Sequence, residues 1–594
     1  MRTSIATVSL AGTLPEKLRA AATAGFDAVE VFEPDLVTCP LRPAQIRTLA
    51  ADLGLRIALY QPFRNPDDTD PGVVAGVRER LRRKSELVRE LGCDLMLVCS
   101  SVHPGAVRDD EELAAQLARL ADTAADAGVR LAYEALAWGT HVNDYRHGAR
   151  VVQLADHPAL GTCVDSFHVL SRGDDPDDVA GLEKLFFYQV ADAPPLGMDV
   201  LPLSRHHRLF PGQGSFDLPR FHRAVLAAGY DGPVSLEVFN DLYRQADPAR
   251  TAVDGLRSLR LLGDRTAAEP TAAPEPTGWE FVEVATSPEG SDAVTALLSR
   301  LGFTRTGTHR RGEVDLWTNG QVRVVLNRRP TTERAKLTSL GLRVGQPQAL
   351  ADRARDLLAP VVHRPVGPGE AEIPSLIAPD GTWLQFCGTG PDWLGDFLPT
   401  PGRPASGPRL LGVDHVALPQ PFAGFDSAGL FLTAVLGLGA GEVSEIAAPD
   451  GLVRSRALQT PDGAVRIALN VGPTTATLRG RPLTSGHVAF GTDDALVAAQ
   501  EFAAAGGEVL PVPDNYYDDL GARFGLDPQF CDALRHRGVL YDRDESGGEL
   551  LHFFARAVSR EFFVEVLERR GGYSGFGAAN TPVRLAAQRT APAE

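Results

Sequence analysis

The stretch GTCVDSFH, residues 161–168, is an apolar run that ends in Asp165, with His168 three residues further on. A short apolar run of this kind, bounded by turn residues, predicts a buried strand. A buried strand with a carboxylate and an imidazole at one end indicates a functional site at that edge of the sheet, provided that neighbouring strands also end in polar residues. The surrounding sequence therefore decides what this stretch means.

Strand-like runs recur along the first 262 residues and alternate with amphipathic stretches such as PEKLRAAATAG (15–25). The other runs are SIATVSL (4–10), AVEVFE (28–33), RIALYQP (56–62), LMLVCS (95–100), RLAYEAL (130–136), LFFYQVADA (185–193) and PVSLEVFND (233–241). Eight strands that alternate with helices over about 250 residues are typical of a parallel barrel. The pattern predicts an α/β fold, a (β/α)8 TIM barrel over residues 1–262.

Polar residues close four consecutive predicted strands, namely Glu134, Asp165, Gln189 and Glu237. The carboxyl ends of barrel strands form the active site in this architecture. A lone strand-end carboxylate often caps the next helix, but three that converge on one point require a cation between them. Oxygen donors favour Mg2+ or Mn2+, while Co2+ or Zn2+ could occupy the site in vitro.

Further polar residues are expected around the same pocket. His168 is close enough to Asp165 to support a metal ligand or carry a proton, and spacing alone is equally consistent with a structural histidine. The loop PLSRHHRLFPGQG (202–214) concentrates positive charge and contains Ser204 and Arg208. Either the loop is simply solvated, or it and Arg64 bind the carboxylate of a small-molecule substrate.

Composition excludes two classes of partner. The formal net charge is -17 and no run of Lys and Arg forms a basic stripe, so we expect no nucleic-acid partner. No segment approaches the roughly 20 apolar residues of a membrane span. The amino terminus MRTSIATVSL does not resemble a leader. We therefore expect a cytoplasmic protein.

Two Pro-rich passages divide the remainder of the chain. GDRTAAEPTAAPEPTG (263–278) predicts a linker, and LPTPGRPASGPRL (398–410) separates two modules at 279–402 and 403–594. The modules form an internal repeat, in which WTNGQVRVVLN (317–327) corresponds to QTPDGAVRIALN (459–470). The repeat predicts an α+β region of tandem βαβββ modules.

Only the second module carries a set of metal-binding side chains at the repeated positions. His415, His487 and Glu565 form the two-histidine, one-carboxylate pattern of non-haem Fe(II) sites. The aligned residues of the first module are Phe281, Leu342 and Gln385, which predict a metal-less structural partner.

The barrel motifs resemble a known family. YQPFRN (60–65), YEALAWGTHVNDY (133–145), VDSFHVLSRG (164–173), FYQVADAP (187–194) and SRHHRLFPGQG (204–214) are similar to bacterial metal-dependent 3-dehydroshikimate dehydratases, which are xylose-isomerase-like TIM barrels. The resemblance implies conversion of 3-dehydroshikimate to protocatechuate and water in quinate and shikimate catabolism or in protocatechuate supply. It implies metal ligands Glu134, Asp165, Gln189 and Glu237, catalytic His168, and substrate contacts Arg64, Ser204 and Arg208.

The second module resembles 4-hydroxyphenylpyruvate dioxygenase of the vicinal-oxygen-chelate family. HVAFGTDD (487–494), PVPDNYYDDL (511–520) and FFVEVLERRGGYSGFGAAN (562–580) carry that likeness. It implies that His415, His487 and Glu565 bind Fe2+ or another divalent ion such as Mg2+. The sequence departs from the family at Ala579 and in TPVRLAAQ (581–588), where an aromatic-rich closing segment is usual. Fusion to such a module is itself characteristic of a subgroup of these dehydratases.

Alternatives remain for both parts of the chain. The same barrel chemistry is consistent with an isomerase of a carboxylated hydroxy-ketone. The second half is either an active Fe(II) dioxygenase or a binding and assembly module, and its departures favour the latter. Exposed sheet edges make a homo-oligomer an expectation from architecture.

Overall fold

The computed structural model separates the chain into two compact units, Met1–Thr271 and Ala272–Glu594. The residues that it describes are 1–267, 274–329, 334–364, 366–390, 392–401, 407–449, 451–472 and 486–590. In these ranges no helix combines the length and apolar character needed to cross a membrane.

Unit 1 is a closed barrel of eight parallel strands in sequential order, with the last strand paired to the first. The strands are β1 Thr3–Ala6, β2 Ala28–Phe32, β3 Arg56–Phe63, β4 Leu95–Cys99, β5 Arg130–Glu134, β6 Leu160–Asp165, β7 Leu185–Val190 and β8 Val234–Leu236. The α-helices are Leu14–Ala24, Glu33–Val37, Pro43–Asp52, Pro71–Glu90, Asp110–Asp126, Tyr145–Ala155, Ser166–Leu170, Val200–His206, Leu218–Ala227 and Pro248–Thr266. The predicted TIM barrel is confirmed.

Neighbouring strands share one apolar layer inside the barrel. Its side chains include Leu59, Leu97, Ala132, Cys163 and Phe187, which come from β3 to β7 in turn. The apolar residues of each strand are therefore used for barrel closure, and the polar residue that follows them is left at the carboxyl edge. This placement positions the candidate site.

Unit 2 contains two mixed sheets. The strands of the first are β9 Pro276–Ala285, β10 Thr304–His309, β11 Val314–Asn319, β12 Val322–Asn327, β13 Lys336–Val344, β14 Val361–Val362, β15 Ser375–Ile377, β16 Trp383–Cys387 and β17 Phe397–Pro399. Those of the second are β18 Gly412–Pro419, β19 Gly439–Ala448, β20 Gly451–Gln459, β21 Arg466–Val471, β22 Gly486–Gly491, β23 Leu540–Arg543, β24 Glu549–Phe554 and β25 Phe562–Arg570. The α-helices are Ser291–Arg300, Pro347–Asp356, Phe425–Leu436, Ala495–Ala504, Asp514–Phe524, Pro528–Arg537 and Thr581–Thr590.

Each sheet joins two βαβββ motifs through a central antiparallel pair, β9 with β13 in one sheet and β18 with β22 in the other. Each copy of the sequence repeat thus itself contains two copies of a smaller structural motif. The predicted α+β architecture of tandem βαβββ modules is confirmed, with two motifs in each module.

Strand register corrects one position of the predicted repeat. His415 pairs with Ala489 and Ala417 pairs with His487. In the first sheet Phe281 pairs with Gly341, and the position two residues along is Ser339 opposite Glu283. Ser339, not Leu342, is therefore the counterpart of His487. Leu342 lies an odd number of residues from Ser339. Because side chains alternate along a strand, Leu342 points to the other face.

Regular structure extends into both ends of the predicted linker 263–278, because the last barrel helix ends at Thr266 and β9 begins at Pro276. The middle of that segment, and the predicted module boundary at 402/403, lie outside the described residues.

Candidate metal and substrate sites

The four predicted strand-end residues lie at or next to the carboxyl ends of strands β5 to β8. Glu134 ends β5, Asp165 ends β6, Gln189 lies in β7 and Glu237 directly follows β8. All four are buried. One carboxylate oxygen each of Glu134 and Asp165 and one nitrogen of His168 lie within 4.8 Å of one another. These three side chains form one buried polar cluster.

Asp165 has two separate roles at the end of its strand. Its Oδ1 accepts the backbone N–H of Phe167 at 2.8 Å and so caps the following short helix. Its Oδ2 accepts Arg208 Nη1 at 2.6 Å, and the same nitrogen donates to Glu237 Oε2 at 3.0 Å. Arg208 is only 1% exposed. The guanidinium therefore offsets part of the negative charge on two proposed metal ligands.

Charge crowding at Glu134 fits a divalent cation. Burial, followed by the nearby Glu237 and Asp165, raises the pKa of Glu134 well above its usual range. Burial also raises the pKa values of Asp165 and Glu237, although Arg208 opposes both shifts. Glu134 Oε1 is buried and has no hydrogen-bond partner among the residues that the structure describes. An orphaned oxygen among crowded carboxylates is the arrangement that a hard divalent ion stabilises.

His168 faces the same carboxylates and is held from its opposite side. Its Nε2 lies 3.9 Å from Glu134 Oε1 and 3.7 Å from Asp165 Oδ2, while Ala137 N–H donates to its Nδ1 at 3.1 Å. Arg208 Nη2 lies 3.3 Å from Nε2. Burial, followed by Arg208, lowers the pKa of His168 well below its usual range. The imidazole is therefore neutral near pH 7, and because Nδ1 accepts the Ala137 N–H, its proton is on Nε2.

The basic segment differs from the predicted loop, because Val200–His206 forms a short helix that carries Ser204. Ser204 Oγ accepts Arg208 Nη2 at 2.9 Å. Arg64 is exposed. The side chains of Arg64, Ser204 and Arg208 line one open cleft, together with Glu134, His168 and Glu237. The three predicted substrate contacts thus share a cavity with the proposed metal site.

A buried hydrogen-bond network lies behind the proposed ligands and was not predicted from the sequence. Glu30 Oε2 accepts Gln189 Nε2 at 2.7 Å and Gln61 Nε2 at 3.1 Å, and Gln61 also donates to Glu237 Oε1 at 2.8 Å. Burial, followed by Glu237, raises the pKa of Glu30 to about 8. The sequence contains one indication of this network, which is the acidic Glu30 inside the apolar run AVEVFE. Glu30 and Gln61 orient two of the four proposed ligands.

Asp192 organises the loop that follows Arg208. Its carboxylate accepts the backbone N–H groups of Gly212, Gly214 and Phe216 at 3.0 Å each. A side chain at Gly214 would place its Cβ 2.3 Å from the Ala193 carbonyl oxygen, so only glycine fits there. Asp192 is thus a structural anchor for the segment that carries Arg208.

Asp192→Asn is expected to weaken this anchor. An amide retains one acceptor oxygen and turns an NH2 group toward N–H donors, which leaves buried donors unsatisfied at a cost of roughly 1–3 kcal/mol each. We expect a lower unfolding temperature for the barrel transition and reduced turnover with both metals retained. Calorimetry and metal analysis of the variant test this, with the exposed Asp241→Asn as control. Unchanged stability would contradict the anchoring role.

The second cluster lies on three adjacent strands of unit 2. His415 on β18, His487 on β22 and Glu565 on β25 are all buried. The His415 and His487 Nε2 atoms are 3.3 Å apart, and Glu565 Oε2 lies 3.5 and 3.2 Å from them. The three predicted ligands therefore converge, and two imidazoles with one carboxylate suit Fe2+ or a similar divalent ion.

Further residues hold these ligands in place. Asp414 Oδ1 lies 2.8 Å from His415 Nδ1, and Arg569 binds both oxygens of Asp414 at 2.7 Å. On the other side, His552 Nδ1 lies 2.7 Å from Glu565 Oε1. Carboxylate contacts to the outer nitrogen of a ligand histidine fix its ring and tautomer. These supporting residues were not predicted, although Asp414 directly precedes His415 and His552 interrupts an apolar strand.

His415→Ala is expected to remove the second metal and to leave barrel turnover near the wild-type value. The imidazole is one of three predicted ligands of this site, whereas no predicted barrel ligand is changed. Metal analysis should fall by one equivalent relative to the wild-type chain, and the matched control His363→Ala, an exposed histidine in the same unit, should retain it. Loss of barrel turnover would indicate structural coupling instead.

Three family descriptions match successive parts of the chain. The xylose isomerase-like TIM barrel matches residues 18–262. The amino-terminal domain of hydroxyphenylpyruvate dioxygenase matches residues 273–386, and the glyoxalase/bleomycin resistance protein/dioxygenase superfamily matches residues 412–546. These matches follow the barrel and the two sheets described above.

Full-length relatives have the same combination. The chain is 44% identical to a 3-dehydroshikimate dehydratase of Pseudomonas aeruginosa, over 100% of this chain and 99% of the relative. It is 42% identical to a 3-dehydroshikimate dehydratase of Pseudomonas putida, over 100% and 98%. A solved structure described as a xylose isomerase-like TIM barrel/4-hydroxyphenylpyruvate dioxygenase fusion protein superimposes with a TM-score of 0.91, at 41% identity and 100% coverage of both chains.

Proposed function

We propose, from the premise that this chain belongs to the 3-dehydroshikimate dehydratase family, that its barrel is a hydro-lyase that converts 3-dehydroshikimate to protocatechuate and water. Likeness over the full chain to two such enzymes supports the assignment. The observation that carries it in the structure is the shared cleft, where a carboxylate cluster, a neutral histidine and arginine side chains meet. The reaction would serve quinate and shikimate catabolism or protocatechuate supply.

We propose that a divalent ion, Mg2+, Mn2+ or Co2+, is held by Glu134, Asp165, Gln189 and Glu237. When bound by these residues, such an ion would supply Lewis-acid stabilisation of negative charge at the substrate ketone. The orphaned Glu134 oxygen and the raised pKa values around it support this ligand set. Glu30 and Gln61 keep Gln189 and Glu237 in position.

We assign proton transfer to His168 and substrate binding to the arginines. His168 Nδ1 accepts the Ala137 N–H, so the neutral ring carries its proton on Nε2, which faces the carboxylate cluster. Nε2 can donate this proton to the departing hydroxyl and recover one from the ring carbon beside the ketone. Arg64 and Arg208, with Ser204, supply donors for the substrate carboxylate.

The identity of the product distinguishes this reaction from the isomerase alternative. Incubation of the metal-loaded chain with 3-dehydroshikimate should yield a product lighter by one water, identified by mass spectrometry and by co-elution with protocatechuate. A product of unchanged mass would favour an isomerase of a carboxylated hydroxy-ketone. The arginine donors in the cleft favour a carboxylated substrate in either case.

For the second unit we propose a metal-bearing binding module with Fe2+ or Mg2+ at His415, His487 and Glu565. The closing helix Thr581–Thr590 begins with TPVRLAAQ, which departs from the oxygenase-like pattern and supports binding over oxygen chemistry. Oxygen uptake in the presence of Fe2+ and α-keto acids tests this. Sustained Fe2+-dependent uptake would instead indicate a dioxygenase.

Oligomer size by light scattering tests the proposed homo-oligomer.

A further inference from the structure

A third cluster of metal-binding side chains lies in the barrel unit, and its residues differ from those of the two sites described above. Asp110 is the first residue of one barrel helix, and His147 lies in the helix Tyr145–Ala155. His141 lies in the segment between β5 and that second helix. One oxygen of Asp110 and one nitrogen of each histidine lie within 4.8 Å of one another. Residues from three parts of the barrel unit thus present ligand atoms to one point.

The two imidazoles face the same carboxylate oxygen. His141 Nε2 and His147 Nε2 each lie 2.8 Å from Asp110 Oδ1. The two ring centres are 4.7 Å apart, and the rings are inclined at 81° to each other. Arg150 donates to the other oxygen, Oδ2, through Nε at 3.1 Å and also through Nη2. Arg150 therefore holds the carboxylate from one side, while Oδ1 is directed at both histidines.

This donor set suits a divalent transition ion. Zinc sites in which three protein side chains bind the ion commonly combine histidine nitrogens with a carboxylate oxygen and leave a position for water. Imidazole nitrogen favours Zn2+, whereas Mg2+ prefers oxygen ligands alone. The side chains of Asp110, His141 and His147 are 16–23% exposed, so an ion and its water can reach them. The contact of Arg150 with Oδ2 is of the kind that orients a ligating carboxylate.

We propose that Asp110, His141 and His147 form a third metal site of this chain, which binds Zn2+ through Oδ1 and the two Nε2 atoms. Water completes the coordination of the ion. The site is selective for ions that prefer imidazole, and it is thereby distinguished from the oxygen-rich cluster at the strand ends of the barrel.

The segment that carries His141 also forms part of the wall of the barrel cleft. Trp138 lines the cleft, and its ring centre is 5.1 Å from that of His168. The preceding residue, Ala137, donates its N–H to His168 Nδ1 at 3.1 Å. An ion held between His141 and Asp110 fixes this segment to the helix that Asp110 begins. The third site therefore positions the wall of the cleft from outside.

The test counts the zinc bound to the full chain after chelator treatment, zinc loading and removal of unbound ion. Glutamine replaces each histidine, because its amide can still donate a hydrogen bond to Asp110 but is not a usual zinc ligand. We expect His141→Gln and His147→Gln each to bind one zinc fewer than the wild-type chain. The control is His157→Gln, since His157 faces a single carboxylate, Asp122, at 3.1 Å. It should bind as much zinc as the wild type.

A second measurement identifies the ligands of the third ion. In the full chain with Glu134→Ala and His415→Ala, which change both other proposed sites, X-ray absorption at the zinc edge should show one ion with two imidazole ligands. An ion with oxygen ligands alone would overturn the proposal. Equal zinc counts for the wild type, His147→Gln and His157→Gln would also overturn it, and this comparison does not depend on the double variant. Neither readout uses turnover, so failure of the barrel reaction is a separate outcome.

Discussion

Glu134→Ala is expected to lower turnover roughly a thousandfold or more and to release the barrel metal, since metal activation of a carbonyl contributes several kcal/mol to the reaction. Glu134 closes β5 and has a buried oxygen that meets no hydrogen-bond partner in the described part of the chain. Alanine removes that proposed ligand and leaves Arg208 paired with Asp165 and Glu237, an arrangement that competes with a cation. Turnover and metal content of the purified variant are the measurements.

The control for this variant is Glu111→Ala, which removes an exposed glutamate from a barrel helix. It should retain both metals and wild-type turnover. If Glu134→Ala kept its full metal content, Glu134 would not be a ligand, whatever the effect on rate.

His168→Ala is expected to lower kcat by about 10²–10⁴, the usual contribution of a positioned acid or base. The metal content should be unchanged, because the proposed ligands remain. Depletion of barrel metal would instead make His168 a ligand or a support for one. Either role is open to it, because its Nε2 lies only 3.9 Å from Glu134 and 3.7 Å from Asp165.

His157→Ala, the same change at a partly exposed position just beyond the helix Tyr145–Ala155, is the control and should have normal kcat. Near-normal kcat for His168→Ala would rule out the assignment of proton transfer. Solvent isotope effects on the residual activity would report whether another group carries the proton.

The position of the barrel site was predictable because the alternation of strands with helices, and the residue at which each strand ends, can be recognised in the sequence. Eight strand-like runs, four of which are closed by polar residues, determine a barrel edge, and Glu134 and Asp165 lie there. The role of Arg208 was not predictable in the same way. Its pairing with Asp165 and Glu237 depends on how a short helix over 200–206 directs the chain back toward the strands.

The supporting residues were harder to recognise. Glu30, Gln61 and Asp192 are polar residues in or beside apolar runs, where a sequence gives no indication of which partner each one meets. The repeat alignment failed at Leu342 for a related reason. A shift by an odd number of positions reverses the face of a strand, and only the pairing of Ser339 with Glu283 fixes the register.

The most direct test of the dehydratase assignment is ultraviolet absorbance after 3-dehydroshikimate is mixed with chelator-treated chain, with and without added Mg2+ or Mn2+. We predict that the protocatechuate spectrum grows only when a divalent ion is restored, and that Glu134→Ala abolishes this growth. No spectral change from a wild-type chain whose barrel site is shown to hold metal would contradict the assignment.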